Sequence, residues 1–166
     1  GVEAAAETLT DVAYAEGSGA QRLDLYLPER TAQAVPLVIM IHGGAFSSGD
    51  KSGQQGEAEA LRAKGYAVAS VNYRLSGEAR FPAGVRDVKA SVRWLRANAA
   101  TYGIDATRIA MLGSSAGGGI AQGVEEGMRR VTPEAAQPAA SVAYFGHGTT
   151  VATNALIQHR GVKTGL

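Results

Sequence analysis

The chain has 166 residues, of which 45% are hydrophobic and 19% are charged, a composition typical of one globular domain with its own core. Sixteen basic residues against fifteen acidic ones leave a formal net charge of +1, which gives no indication of binding to nucleic acids or membrane surfaces. The absence of cysteine excludes disulfides and thiol catalysis. Because there is neither a long apolar run nor a signal peptide at its start, we expect a soluble protein, with the cytoplasm favoured.

Strand and helix patterns alternate along the first half of the chain. Residues 8–15 and 21–27 alternate apolar with polar side chains around a glycine-containing turn, which predicts a β-hairpin. Two continuous apolar runs, 37–41 and 66–71, predict buried strands. The segment between these strands predicts a helix at 57–64, which ends before a glycine.

The second half continues the alternation. Apolar residues recur at helical spacing over residues 85–100 and predict an amphipathic helix, to which Arg74 could be tied by an ion pair with Asp87. The remaining predicted elements are a strand at 109–112, a helix whose Ile120, Val124 and Met128 face inward, a strand at 140–145 and a short helix at 151–160. Strands that alternate with helices predict a three-layer α/β domain with a mostly parallel sheet and an N-terminal hairpin.

The motif Gly113-Ser-Ser-Ala-Gly117 directly follows one of the predicted strands and fits G-x-S-x-G. A serine on a tight strand-to-helix turn needs small neighbours, because its backbone is strained and the strand and helix approach closely. Such a turn exposes the Ser115 hydroxyl and leaves the Ala116 N–H free to meet an oxyanion. The alternatives are a glycine-rich turn without function and a phosphate loop, and the second is disfavoured because no Gly-Lys-Ser/Thr follows.

A second motif, His42-Gly43-Gly44, also ends a predicted strand. Two consecutive glycines let backbone N–H groups point into a shared pocket without a Cβ in the way. An upstream His-Gly-Gly together with G-x-S-x-G, each at the end of its own strand, is the arrangement that an acyl-transfer site needs.

Residues 23–118 resemble the α/β-hydrolase fold and, within it, the hormone-sensitive-lipase-like carboxylesterases. The matching pieces are Leu25-Tyr-Leu-Pro28, His42-Gly-Gly-Ala-Phe46, Asn72-Tyr-Arg-Leu75, Phe81-Pro-Ala83, Asp87 and Gly113 to Gly118. The resemblance implies that Ser115 is the nucleophile and that Gly43, Gly44 and Ala116 donate the N–H groups of an oxyanion hole. The third glycine that often follows His-Gly-Gly in that family is Ala45 here.

The chain after Ser115 departs from this pattern. Complete members of that family place an acid and then a histidine after later strands, whereas no aspartate follows Asp105 here. The tail resembles instead part of the hydantoinase A / oxoprolinase family, in the sequences Gly123-Val-Glu-Glu-Gly127, Gly146-His-Gly-Thr-Thr-Val-Ala-Thr-Asn-Ala-Leu156 and Gly161-Val-Lys-Thr-Gly-Leu166. The phosphate loop of that family is absent, so no hydantoinase activity is implied. We expect one truncated domain over residues 1–166, in which an esterase-like part, 1–118, is joined to a foreign strand-helix segment, 119–166.

Three histidines could serve as the base. If the strand at 140–145 adds beside the strand that precedes Ser115, its C-terminal end places His147 near the nucleophile. Imidazole suits that role because it titrates near neutral pH. His159 ends the predicted short helix and fits a capping role better. In the resembled family the histidine at the position of His42 orders its loop. No acid can be assigned.

The resulting hypothesis is a small serine carboxylesterase for short-chain acyl esters that needs no cofactor. Ser115 attacks the carbonyl and His147 transfers the proton, with weak catalysis because the usual acid is missing. The alternative is a catalytically inactive remnant that folds as an oligomer. An exposed sheet edge predicts a homo-oligomer in either case, and a nucleotide-binding role of the tail is not expected.

Overall fold

The computed structural model describes residues 5–131, 141–148 and 151–153. Its strands are β1 (Glu7–Ala13), β2 (Arg22–Leu27), β3 (Val35–Ile41), β4 (Ala67–Val71), β5 (Ile104–Ser114), β6 (Ser141–Gly148) and β7 (Val151–Thr153). Its helices are α1 (Gln55–Ala63), α2 (Ala83–Asn98) and α3 (Ala116–Val131), and a short 3-10 helix at Lys51–Gln54 precedes α1. The predicted strands and the first three predicted helices are confirmed, although β5 begins earlier than the apolar run that predicted it.

The described strands form one sheet in the order β1-β2-β4-β3-β5-β6-β7. The central strands β4, β3, β5 and β6 run parallel, whereas β1, β2 and β7 join antiparallel at the two edges. The predicted hairpin is therefore confirmed as β1 and β2, and the predicted addition of β6 beside β5 is also confirmed. Because parallel strands carry their carboxyl ends to the same edge, the segments that end β3, β5 and β6 meet there.

Helices cover both faces of the sheet, which confirms the predicted three-layer α/β fold. Leu37, Ile39 and Ile41 of β3 join the larger core, to which α2 and α3 contribute. Val38 and Met40 point to the opposite face and join a smaller core with α1. A strand buried on both faces needs a nearly continuous apolar sequence, which β3 has. No helix in the described part of the chain combines the length and apolar character needed to cross a membrane.

The predicted ion pair between Arg74 and Asp87 is present. The Arg74 guanidinium donates to both carboxylate oxygens, with Nε to Oδ2 and Nη2 to Oδ1 each at 2.9 Å. The Arg74 backbone N–H and the Gln21 side-chain amide add further hydrogen bonds to the same buried carboxylate. The pair therefore joins the loop after β4 to α2, and its role is structural.

The C-terminal part of the chain differs from the prediction at residues 151–153. The sequence predicts a helix from residue 151, but these residues form β7, so the prediction is wrong there. β7 pairs antiparallel with β6, with Gly148 opposite Val151 and Gly146 opposite Thr153. Valine and threonine are β-branched and fit a pleated strand better than a helix, and the free edge of β6 supplies the pairing partner. The rest of the predicted helix, with His159, lies outside the described residues.

Candidate active site

Ser115 lies at the junction between β5 and α3. Its φ of 51° falls in the left-handed region that residues with side chains rarely adopt, and the residue is exposed. A Cβ at Gly113 would lie 2.5 Å from the Gly117 carbonyl oxygen, and a Cβ at Gly117 would overlap the carbonyl oxygen of Ile41 on β3. Close approach of strand and helix therefore requires both glycines of the G-x-S-x-G motif.

The glycine loop, which we define as residues 42–50, leads from β3 to the 3-10 helix and passes directly over this turn. A Cβ at Gly43 would lie 3.2 Å from the Ser115 Cβ and closer still to the backbone before it. Among the hydrogen bonds of the described residues, none has the N–H group of Gly43, Gly44 or Ala116 as its donor. The structure thus places the His-Gly-Gly corner against the serine turn, and within the described part of the chain no acceptor takes a hydrogen bond from these three N–H groups.

His42 begins the glycine loop and is buried. Its Nδ1 donates a hydrogen bond to the Gly43 carbonyl oxygen at 2.6 Å, and its ring stacks on Tyr73 with centroids 4.6 Å apart. The Tyr73 hydroxyl donates to the His42 carbonyl oxygen at 2.8 Å, and burial raises the pKa of this phenol to about 12. These contacts order the loop, which is the role expected of His42. Sequence reasoning missed the part played by Tyr73, whose only signal was its place in a resemblance motif.

His147 lies in β6, where it is the register partner of Ser114 on β5. Its backbone is therefore beside the residue that precedes Ser115, at the sheet edge that the sequence predicted for it. On its other side His147 pairs with Ala152 of β7. The competing histidine, His159, lies outside the described residues.

Asp50 ends the glycine loop and caps the 3-10 helix. Its carboxylate accepts hydrogen bonds from the Ser52 N–H and from the Asn72 side-chain amide, each at 2.8 Å. Burial alone would raise the pKa of Asp50, but these hydrogen bonds and the positive charge of Lys51 outweigh it and lower the pKa to about 2. The carboxylate is therefore ionised at neutral pH and holds the end of the loop.

The lowered pKa of Asp50 predicts a specific loss of stability in acid. Because the folded-state pKa of about 2 is below the ordinary value of 3.8, the ionised carboxylate stabilises the fold above about pH 4, and this contribution is lost as the pH falls towards 2. The variant Asp50→Asn should therefore lose less of its free energy of unfolding between pH 4 and pH 2 than the parent does. Urea denaturation at a series of pH values measures this, and parallel profiles for the two proteins would contradict the assignment.

Sequence comparison matches residues 23–162 to the model of the BD-FAE family. The chain is 42% identical over 98 residues to carboxylesterase NlhH of Mycobacterium tuberculosis, a match that covers 58% of this chain and 30% of that protein. Esterase LipI of the same organism is 40% identical over 87 residues, which cover 52% of this chain and 27% of LipI. The chain thus spans about 30% of the length of the curated relatives it matches. The family match runs through residue 162 and so includes most of the segment 119–166, which the sequence predicts to be foreign to an esterase.

Solved structures of esterases share the fold. Esterase B from Lactobacillus rhamnosis superposes with a TM-score of 0.67 at 32% identity, over 72% of this chain and 39% of that one. A bacterial heroin esterase gives a TM-score of 0.62 at 35% identity, over 76% of this chain and 40% of that one.

Proposed function

Because this chain belongs to the BD-FAE family, a hormone-sensitive-lipase-like family of α/β-hydrolases, we propose that it is a serine carboxylesterase that hydrolyses short-chain acyl esters. The observation that carries the proposal is the close approach of Gly43 to an exposed Ser115 on a strained turn. The similar proteins named as carboxylesterases and esterases support the same reaction class.

In the proposed reaction, Ser115 Oγ attacks the carbonyl carbon of the ester and the carbonyl oxygen becomes an oxyanion. The N–H groups of Gly43, Gly44 and Ala116 donate hydrogen bonds to that oxyanion. Collapse of the tetrahedral intermediate expels the alcohol and leaves the acyl group on Ser115, from which water releases the acid. The absence of protein acceptors for these three N–H groups among the described residues supports this assignment.

His147 is the proposed general base, which takes the Ser115 proton and returns it to the leaving alcohol. The support is topological. Pairing of β6 with β5 sets the backbone of His147 beside Ser114, and imidazole is the side chain whose ordinary pKa is nearest to neutral.

Replacement of His147 by alanine should lower kcat for p-nitrophenyl acetate by about 10²-fold or more, because general base catalysis contributes on that scale. The matched control is His159→Ala, which removes the competing imidazole and should leave the rate within about twofold. An undiminished rate for His147→Ala would remove the base assignment while leaving Ser115 as nucleophile, and a loss confined to His159→Ala would transfer the role to that residue.

Turnover of p-nitrophenyl acetate and p-nitrophenyl butyrate by the purified chain tests the function itself. We expect a rate above the buffer blank for both esters, with weak catalysis because no aspartate follows Asp105 in the sequence to serve as the usual acid partner of the histidine. A rate equal to the blank would support the alternative, a folded remnant without turnover.

The resemblance of residues 119–166 to hydantoinase A supports no second function, since the family match runs through residue 162. A mosaic origin of the chain stays a prediction. The same is true of a homo-oligomer formed through a sheet edge, for which β1 and β7 are the edge strands of the described sheet.

A further inference from the structure

A lysine is buried directly after the glycine loop. Lys51 is the first residue of the 3-10 helix and is only 6% exposed. Its Nζ forms ion pairs with Asp24 Oδ1 on β2 at 2.8 Å and with Asp11 Oδ1 on β1 at 2.7 Å. The Asp24 side chain is as buried as that of Lys51, whereas the Asp11 side chain is 65% exposed. A lysine ammonium buried to this extent is stable only with such partners.

The backbone of Lys51 is fixed as firmly as its side chain. Its N–H donates to the Asn72 side-chain oxygen at 2.8 Å, and its carbonyl oxygen accepts a hydrogen bond from the Ser70 hydroxyl at 2.9 Å. Ser70 lies in β4 and Asn72 follows that strand. Lys51 is therefore bound to β4 through its backbone and to β1 and β2 through its ammonium group.

The two carboxylates that pair with Lys51 both come from the N-terminal hairpin, formed by β1 and β2. The pairing of β1 with β2 shifts register between Leu9 and Val12, and Asp11 in this bulge has a φ of 57°. The Asp11 backbone N–H donates to Asp24 Oδ1 at 2.9 Å, the same oxygen that contacts Lys51 Nζ. A left-handed conformation at a residue other than glycine is unfavourable and persists where the surrounding contacts determine it. The ion pairs and this hydrogen bond are such contacts.

The glycine loop needs support because its own backbone is strained. Positive φ values occur at Gly44, Ala45, Phe46 and Gly49, and two of these four residues carry a Cβ. His42 and Tyr73 fix the start of the loop, as described above. At the other end the loop passes through Asp50 into Lys51, so the contacts of Lys51, together with the hydrogen bonds of Asp50 described above, determine where that end lies.

We propose that Lys51 is a positioning residue of the esterase site, which holds the end of the glycine loop so that the Gly43 and Gly44 N–H groups stay over Ser115. This inference rests on the proposed function. The N-terminal hairpin, β1 and β2, is separated from β5 and the serine turn by β4 and β3. The proposal gives this hairpin a part in forming the oxyanion hole. Displacement of catalytic groups by about 1 Å can reduce a rate 10²-fold, so loss of the anchor should reduce the rate without removing any group that contacts the substrate.

The test is the variant Lys51→Met, which keeps an unbranched side chain of similar length and removes the charge. We expect kcat for p-nitrophenyl acetate to fall by about 10- to 100-fold while KM changes by less than about threefold, since the loss falls on the oxyanion. The matched control is Lys64→Met, at an exposed lysine that follows α1, and it should leave both constants unchanged. A kcat for Lys51→Met equal to that of the parent would overturn the proposal.

Hydrogen–deuterium exchange separates failure of the anchor from failure of the proposed function. The Ser47 and Ser48 N–H groups each donate to the Gly44 carbonyl oxygen at 3.0 Å, so peptides that cover the glycine loop contain amides protected by the loop conformation. Lys51→Met should accelerate their exchange and leave peptides from α2 unchanged. If exchange in Lys51→Met is not accelerated, the proposed anchoring role of Lys51 is wrong, whatever the turnover. If exchange in the variant is accelerated but the parent protein shows no turnover, only the esterase function is contradicted.

A second variant covers the case in which Lys51→Met fails to fold. Asp11→Asn removes one of the two carboxylates at an exposed side chain and leaves the buried pair between Lys51 and Asp24. We expect a smaller fall in kcat, of about three- to tenfold, with a measurable increase in exchange of the loop amides. If neither quantity changes in this variant, the proposal is wrong.

Discussion

Replacing Ser115 by alanine is expected to lower kcat/KM for p-nitrophenyl acetate by about 10³-fold or more, because the substitution removes the proposed attacking oxygen and nothing else. The backbone at this position already carries a Cβ at a φ of 51°, so alanine can adopt the same turn as serine. The proposed oxyanion hole, formed by the N–H groups of Gly43, Gly44 and Ala116, should stay in place and leave a small residual rate.

The matched control for this substitution is Ser114→Ala. Ser114 is the adjacent residue at the end of β5 and is also exposed, but it does not occupy the serine position of the G-x-S-x-G motif. Its replacement should change kcat/KM by less than about threefold, as is usual for exposed positions. Equal rates for the parent and Ser115→Ala would remove the nucleophile and with it the esterase proposal.

A phosphonate ester gives an independent readout of the same serine. An alkyl p-nitrophenyl phosphonate should transfer its phosphorus to Ser115 Oγ, with release of p-nitrophenolate, and the serine peptide should gain the corresponding mass. The Ser115→Ala protein should stay unlabelled. Labelling of Ser114 or of another hydroxyl instead would show that a different residue is activated.

Gly117→Ala is expected to lower the free energy of unfolding by about 3 kcal/mol or more, since overpacking of a backbone contact cannot be relieved by a change of rotamer. A Cβ at this position would overlap the carbonyl oxygen of Ile41 and would approach that of His42 to 2.7 Å. To relieve this overlap, strand β3 and helix α3 would have to move apart. The glycine loop follows β3 directly, so activity should fall together with stability.

Gly119→Ala is the matched control, because it adds the same methyl group to the same helix. Here the nearest atom to the added Cβ is Phe46 Cζ at 3.9 Å, an ordinary contact. Replacement of a helical glycine by alanine should therefore raise the free energy of unfolding by about 0.5–1 kcal/mol. Urea denaturation followed by circular dichroism measures both variants. If Gly117→Ala were as stable as Gly119→Ala, the close packing of the serine turn against β3 would be refuted.

Much of the local structure follows from the sequence alone. Alternation around a turn predicts the β1–β2 hairpin, continuous apolar runs predict β3 and β4, and helical spacing predicts α2. The glycines at 113 and 117 have the steric reason that the motif implies, because both lie where strand and helix backbones touch. Each of these predictions depends on burial periodicity or on local backbone geometry, and both are determined by residues that are close together in the sequence.

The tertiary structure alone decided the features that depend on distant partners. Residues 151–153 form a strand because β6 presents a free edge beside them. Lys51 is buried because Asp11 and Asp24, from another part of the chain, lie within ion-pair distance. Tyr73 orders the glycine loop because the end of β4 places it under His42. Sequence periodicity specifies which face of an element is buried, whereas the group that covers that face is set by strand order and register, which no single segment contains.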